Sequence, residues 1–185
     1  MVSTIPRLVL DTNACLDLFV FNDRVGGPLR ALLESNRALA VTDAVCRAEW
    51  QRVLRYRHLA FEAERIAVAE AAFDALVVEW PAGDAAAPLG SPAGLASQVP
   101  TAAAPDTTAA SATSPIAASP PLPRCKDPDD QKFLELAARC GARVLVTRDA
   151  SLLRLSKRAF AVAGFVVLPP QAAVALLYAA ALPHP

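Results

Sequence analysis

Short apolar runs recur along the chain, each closed by a turn-forming or charged residue and separated from the next by amphipathic stretches. Residues 7–10 (RLVL) read as a buried strand that ends at the turn Asp11-Thr12-Asn13. A helical stretch follows to about Val20, and a second runs from Pro28 to about Asn36. Residues 38–42 (ALAVT) predict another strand, after which Asp43 can cap a helix over 44–57. An Ala/Glu-rich helix spans about 60–75, and 76–80 (LVVEW) reads as a third strand. Further on, a helix over 128–140 is stopped by Gly141 at a C-terminal capping position. A strand at 143–147 (RVLVT), a short helix at 149–156, a strand at 164–168 (GFVVL) and a helix at 171–181 complete the pattern. Strands alternating with helices predict an α/β fold with a parallel sheet covered on both faces.

Between Pro81 and Pro123 the composition shifts to Ala, Pro, Ser and Thr, with few large apolar residues and almost no charge. Such a segment buries too little surface to offset its ordering entropy, so 81–123 reads as a disordered surface insertion. The α/β pattern resumes after Arg124, so we expect one domain over 1–185 interrupted by that insertion. The length of 185 residues suits one domain with a proper core better than two. No apolar run reaches the ~18 residues that a membrane span needs. Arg7 and Asp11 fall where a signal peptide would be apolar, and the four cysteines include no CxxC pair. Both features predict a cytoplasmic protein with reduced thiols and no zinc site.

Formal net charge is zero, so bulk electrostatics announces no nucleic-acid partner. Local charge is less even. Arg47, Arg52, Arg55 and Arg57 fall close together, and Arg148 follows one of the later strands. A solvated helix face and a phosphate-contacting one account equally well for them.

The acidic residues carry the chemistry. Asp11 and Asp149 each follow directly on an apolar strand, and ligands of open parallel sheets bind outside the carboxyl ends of strands. Helix capping explains either residue as readily when each is taken alone. Glu49, on the helix over 44–57, shares a face with Val45 and Val53, where a carboxylate must be paired or bound to a cation. In Asp127-Pro128-Asp129-Asp130, capping and the helix dipole account for Asp127 and Asp129. Asp130 instead stacks with Leu134 and Ala137, opposite a charged face of Lys132, Glu135 and Arg139, and points inward. Acids converging without a basic partner repel unless a cation neutralises them, and oxygen-only ligation points to Mg²⁺ or Mn²⁺. Such a site can polarise a phosphodiester, activate water and stabilise the leaving oxygen. With His184 near the end of the sequence and His58 at a helix end, histidine-based nuclease chemistry has little support.

The strand ending LVL-DTN, Glu49 within RAEWQRVL, the stretch CKDPDDQKFLELAARCGA and the run VLVTRDASLL together resemble a PIN domain. The subgroup they most resemble is the toxin component of bacterial toxin–antitoxin systems, the VapC-like ribonucleases. DTN alone is a weak signal, whereas the DPDD motif with VTRD at this spacing is fairly specific. The resemblance implies a three-layer αβα fold around a parallel sheet of about four to five strands, and Mg²⁺/Mn²⁺-dependent endoribonuclease activity. By motif position Asp11, Glu49, Asp130 and Asp149 would be the four catalytic, metal-binding acids, with Asn13 and Thr147 as supporting polar groups. Arg47, Arg52 and Arg148 are the candidates for RNA phosphates. The resemblance further implies a homodimer and a cognate antitoxin protein whose tail enters the groove, with no membrane partner.

Two departures stand out: the insertion is longer than usual for the group, and Trp50 replaces the smaller aliphatic common after Glu49. Three other readings compete with this one. A haloacid-dehalogenase-type phosphatase wants an aspartate where Asn13 stands, and a receiver domain leaves Glu49 unexplained. A catalytically inactive PIN-like module that binds RNA or protein is disfavoured by the presence of all four acids.

Overall fold

The computed structural model describes residues 5–21, 26–57, 59–81 and 121–181, so most of the 81–123 insertion lies outside the described residues. Five parallel strands form one sheet in the order β3-β2-β1-β4-β5. They are β1 (Arg7–Leu10), β2 (Leu39–Thr42), β3 (Val77–Glu79), β4 (Val144–Val146) and β5 (Val166–Leu168). Parallel neighbours need crossovers, and helices supply them on both faces. These are α1 (Thr12–Phe19), α2 (Gly26–Glu34), α3 (Ala44–Leu54), α4 (Ala63–Leu76), α5 (Gln131–Arg139), α6 (Ala150–Leu153), α7 (Ser156–Ala163) and α8 (Pro170–Ala181).

The strands are apolar along almost their whole length because both sheet faces are covered at the central ones, with Arg7, Thr42 and Glu79 the exceptions, all at strand ends. Leu8, Leu10, Ala40, Val144 and Val146 face a core completed by Leu18, Leu32, Phe73 and Leu177 from α1, α2, α4 and α8. Val9, in register with Val41 and Leu145, faces the other core with Phe133 and Leu136 of α5, Leu152 of α6 and Ala159 of α7. This is the three-layer α/β architecture expected, with five strands.

The differences in detail have physical causes. The helix expected over 44–57 stops at Leu54, and its buried stripe is Cys46, Trp50 and Leu54 at four-residue spacing. Val45 is 62% exposed, so the apolar stripe proposed through Val45 and Glu49 is corrected: Glu49 lies at the edge of the true stripe. The stretch expected as one helix over 128–140 opens with a 3₁₀ turn at Pro128–Asp130 and becomes α-helical at Gln131. Helix α7 was not foreseen. The sequence pattern assigns no element between 156 and 164, where Gly164 adopts a left-handed conformation (φ 76°) and ends a helix. Gly141 does the same (φ 60°) after α5, as the sequence predicted.

Trp50 fills the core between α1, α3 and α4, stacked on Phe73 at 5.5 Å and edge-on to Phe19 at 6.1 Å. The core packing therefore accommodates the large ring at this position. All four cysteines are free. Among the described residues, no helix is long and apolar enough to cross a membrane.

Candidate active site

The strand order reverses at β1: the chain leaves it to one side for β2 and β3, then returns to its other side for β4. A crevice opens beyond the carboxyl ends of two strands that diverge in this way, and those of β1 and β4 carry Asp11 and Thr147 through Asp149. The backbone N–H of Asp11 still donates to Val146 at 3.0 Å, so the two strand ends stay in register up to the acid.

Asp11 is 3% exposed, and both of its carboxylate oxygens are engaged. Oδ1 caps α1 by accepting the Ala14 N–H at 2.6 Å, and Oδ2 accepts the Thr147 hydroxyl. Asp11 thus caps α1 and also lines the cleft beyond the strand ends. Burial raises its pKa to about 6; the Thr147 and Ala14 bonds oppose the rise, while Asp130 and Asp17 add to it. Thr147 is fully buried, and its hydroxyl oxygen also accepts the Asp149 N–H at 2.9 Å. One hydroxyl therefore ties the first acid to the fourth.

Asp149 caps α6, its Oδ1 accepting the Ser151 N–H at 2.5 Å, the Leu152 N–H at 3.1 Å and the Ser151 hydroxyl. The bonds from Ser151 and Leu152 hold it below the usual carboxylate range. Asp130, at the last position of the 3₁₀ turn, is half-buried. Burial raises its pKa, and Asp127, Asp149 and Glu49 raise it further against the opposing charge of Lys132.

Glu49 reaches the same crevice from α3. Its Oε1 accepts the Thr12 hydroxyl at 2.6 Å, and its Oε2 meets the Lys132 ammonium, with Arg52 at 3.9 Å. Asp11, Asn13, Glu49 and Asp130 line one cleft of 320 Å³. Asp149 adjoins it through Thr147 and its repulsion of Asp130.

Two corrections follow. Lys132 does not belong to a solvated face with Glu135: its ammonium pairs with Glu49, so the acids do have a basic partner. Nor is Arg139 purely a surface charge, since it bonds Asp43 at 2.5 Å and ties α5 to the start of α3. Sequence reasoning also missed Asp17, which raises the pKa of Asp11 and pairs with Arg148 at 2.9 Å. The signal was present: Asp17 follows Asn13 by four residues and shares its helix face. Of the arginine candidates, Arg52 lies beside Glu49 and Arg148 beside Asp17. Arg47 turns the other way, pairing with Asp74 at 2.5 Å and lying over the Phe73 ring.

The donor set is oxygen-only and suits a hard divalent cation, and the mutual repulsion felt by Asp11 and Asp130 is what such a cation relieves. The cage is not closed. Among the described residues, no three acidic, histidine or cysteine side chains stand together as a ready-made metal site.

Comparison with known families matches the PIN domain over residues 7–151, and the chain belongs to the PIN domain family. PIN domains are generally nucleases, which places the chain among nucleic-acid-binding hydrolases at that coarse level, and they generally use divalent metals. A comparison with curated proteins finds no match.

Proposed function

We propose that the protein is a Mg²⁺- or Mn²⁺-dependent endoribonuclease that hydrolyses RNA phosphodiesters through Asp11, Glu49, Asp130 and Asp149. The observation that carries this reading is the crowding of carboxylates at the β1–β4 crevice, where burial and mutual repulsion lift Asp11 and Asp130 above their ordinary range. A bound divalent cation would supply Lewis-acid polarisation of the phosphate and an ionised water at neutral pH. Asp11, Asp130 and Asp149 would hold it. Thr147 fixes the rotamer of Asp11 and the backbone of Asp149, and Asn13 offers an exposed amide at the cleft. Glu49, oriented by Thr12, would complete the cation site or orient the attacking water. Arg52 and Arg148 would hold flanking phosphates by salt-sensitive contacts. Arg47, committed to Asp74, is the weakest of the phosphate candidates.

The test is cleavage of a panel of single-stranded and structured RNAs with Mg²⁺ and with EDTA. Wild type should cut only with metal, and Asp130→Asn should not cut. Wild-type rates from Asp130→Asn would remove the assignment.

A single domain over 1–185 is part of this reading. It is supported by β3 and β4, which flank the 81–123 insertion in sequence and belong to one sheet. The finer role, a cytoplasmic homodimeric toxin silenced by a cognate antitoxin, is supported by the sequence resemblance. Co-expression with the product of an adjacent small open reading frame should relieve growth arrest if it holds. The rival reading, an inactive module that binds RNA or protein, is favoured by one observation: Lys132 takes up Glu49 while the acids form no closed cage. Saturable Mn²⁺ binding at the acids would count against it.

A further inference from the structure

The cleft that holds the carboxylates has a second wall of different chemistry. Beyond Glu49, one turn along α3, Val53 lines it; Tyr56 and Leu59 continue the wall past the helix end, and Leu16 of α1 adjoins. None of these groups is a carboxylate. Tyr56 is 39% exposed, placing an aromatic ring at the open side of a cleft whose other end is acidic. Arg52, on the same helix, puts a guanidinium beside Glu49 between the two regions. Glu49 and Tyr56 line the same cleft, Glu49 within α3 and Tyr56 just past its end.

The geometry points to a nucleobase subsite: Tyr56, backed by Val53 and Leu59, takes an unpaired base of an RNA strand whose phosphodiester lies at the carboxylates. The identity of the polymer rests on the nuclease reading above. Every base has a flat π-face, so stacking on Tyr56 is tolerant of sequence but demands a base free of its helix. In an A-form duplex the bases are held inside the stack, and their faces cannot reach an aromatic side chain. The subsite therefore selects single strands, loops and bulges over duplex. The aromatic ring is the feature the subsite requires.

The test uses the full chain carrying Asp130→Asn, to prevent cleavage, with single-stranded oligoribonucleotides containing one 2-aminopurine or one abasic position scanned along the strand. Bound 2-aminopurine should be quenched at one position, and Tyr56→Ala should abolish the quench and lower affinity about tenfold. Tyr56→Phe should restore both. An abasic residue at the quenched position should weaken the Tyr56-containing protein equally and leave Tyr56→Ala unaffected. Unchanged affinity and quench in Tyr56→Ala, or equal binding of duplex and single strand, would overturn the subsite. In parallel, chains carrying the native Asp130 report on the nuclease itself. If they cut no RNA, the nuclease reading fails while the fluorescence arm still decides the subsite; if they cut duplex as fast as single strand, the subsite fails and the nuclease stands.

Discussion

The ammonium of Lys132 lies against the carboxylate of Glu49, joining α5 to α3 across the mouth of the acidic cleft. The pair is mostly shielded from solvent, so its charge is felt by the neighbouring acids as well, and it opposes the rise in the Asp130 pKa. Lys132 thus does part of the neutralising work that a divalent cation would do. Lys132→Met, which keeps the length of the side chain, should tighten Mn²⁺ binding about tenfold, an energy of about 1.4 kcal/mol. It should also lower the melting temperature of the metal-free protein. Isothermal titration and thermal melts check both; weaker Mn²⁺ binding would show that Lys132 assists the cation site.

Asp11 and Asp43 impose opposite pH dependences on stability. The folded pKa of Asp11 is raised to about 6, so its contribution is fully present below the unfolded value near 3.8 and is lost as pH rises through 6. The whole interval is worth about 3 kcal/mol. Asp11→Asn should therefore raise the melting temperature of the metal-free protein at pH 7.5 while abolishing cleavage. Mn²⁺ at a fixed concentration should stabilise wild type more than the variant. For Asp43, burial is outweighed by the bonds from Cys46 and Arg139, and its folded pKa is lowered. That stability is present above the unfolded pKa and lost as pH falls through the folded one. Arg139→Ala should flatten the acid limb of the stability profile, measured by melts between pH 2 and pH 5.

Thr147→Val removes one hydroxyl and takes a partner from the buried Asp11 Oδ2 and from the part-buried Asp149 N–H. The buried orphan costs about 1–3 kcal/mol and the part-buried one less, so denaturant unfolding should show a loss of about 1–3 kcal/mol. Thr147→Ser should recover most of it. Losing the bond that opposes the rise in the Asp11 pKa, the Val variant should also titrate Asp11 above 6, visible by carboxyl NMR.

Trp50 stacks on Phe73 and contacts Phe19 edge-on within the core, and its indole N–H finds no acceptor among the described residues. Trp50→Ala should cost about 3–5 kcal/mol. Trp50→Phe should cost far less, since it keeps most of the aromatic volume and removes the orphaned donor. Chemical denaturation separates the two.

The sheet was legible because all five strands are short apolar runs ending in turn chemistry, as Leu10-Asp11 and Val146-Thr147 illustrate. The position of Asp11 was legible for the same reason. What escaped was set by three-dimensional neighbours. The sequence pattern placed Lys132 on a polar stripe, but the 3₁₀ turn before α5 and the arrival of Glu49 from α3 pair it with that carboxylate. The spacing of Val45, Glu49 and Val53 suggested a buried stripe, whereas α3 buries Cys46, Trp50 and Leu54, one position onward. Helix α7 was hidden because alanine and valine serve helix and strand alike, and only the left-handed Gly164 separates it from β5.

The central claim is that Asp11, Asp130 and Asp149, with Glu49, jointly hold a divalent ion, and Mn²⁺ titration followed by electron paramagnetic resonance tests it most directly. Wild type should show saturable binding, and Asp11→Asn, Asp130→Asn and Asp149→Asn should each weaken it at least about tenfold, beyond the ~1.4 kcal/mol that such a factor represents. Wild-type protein that never saturates with Mn²⁺, or aspartate variants that bind it as wild type does, would contradict the account.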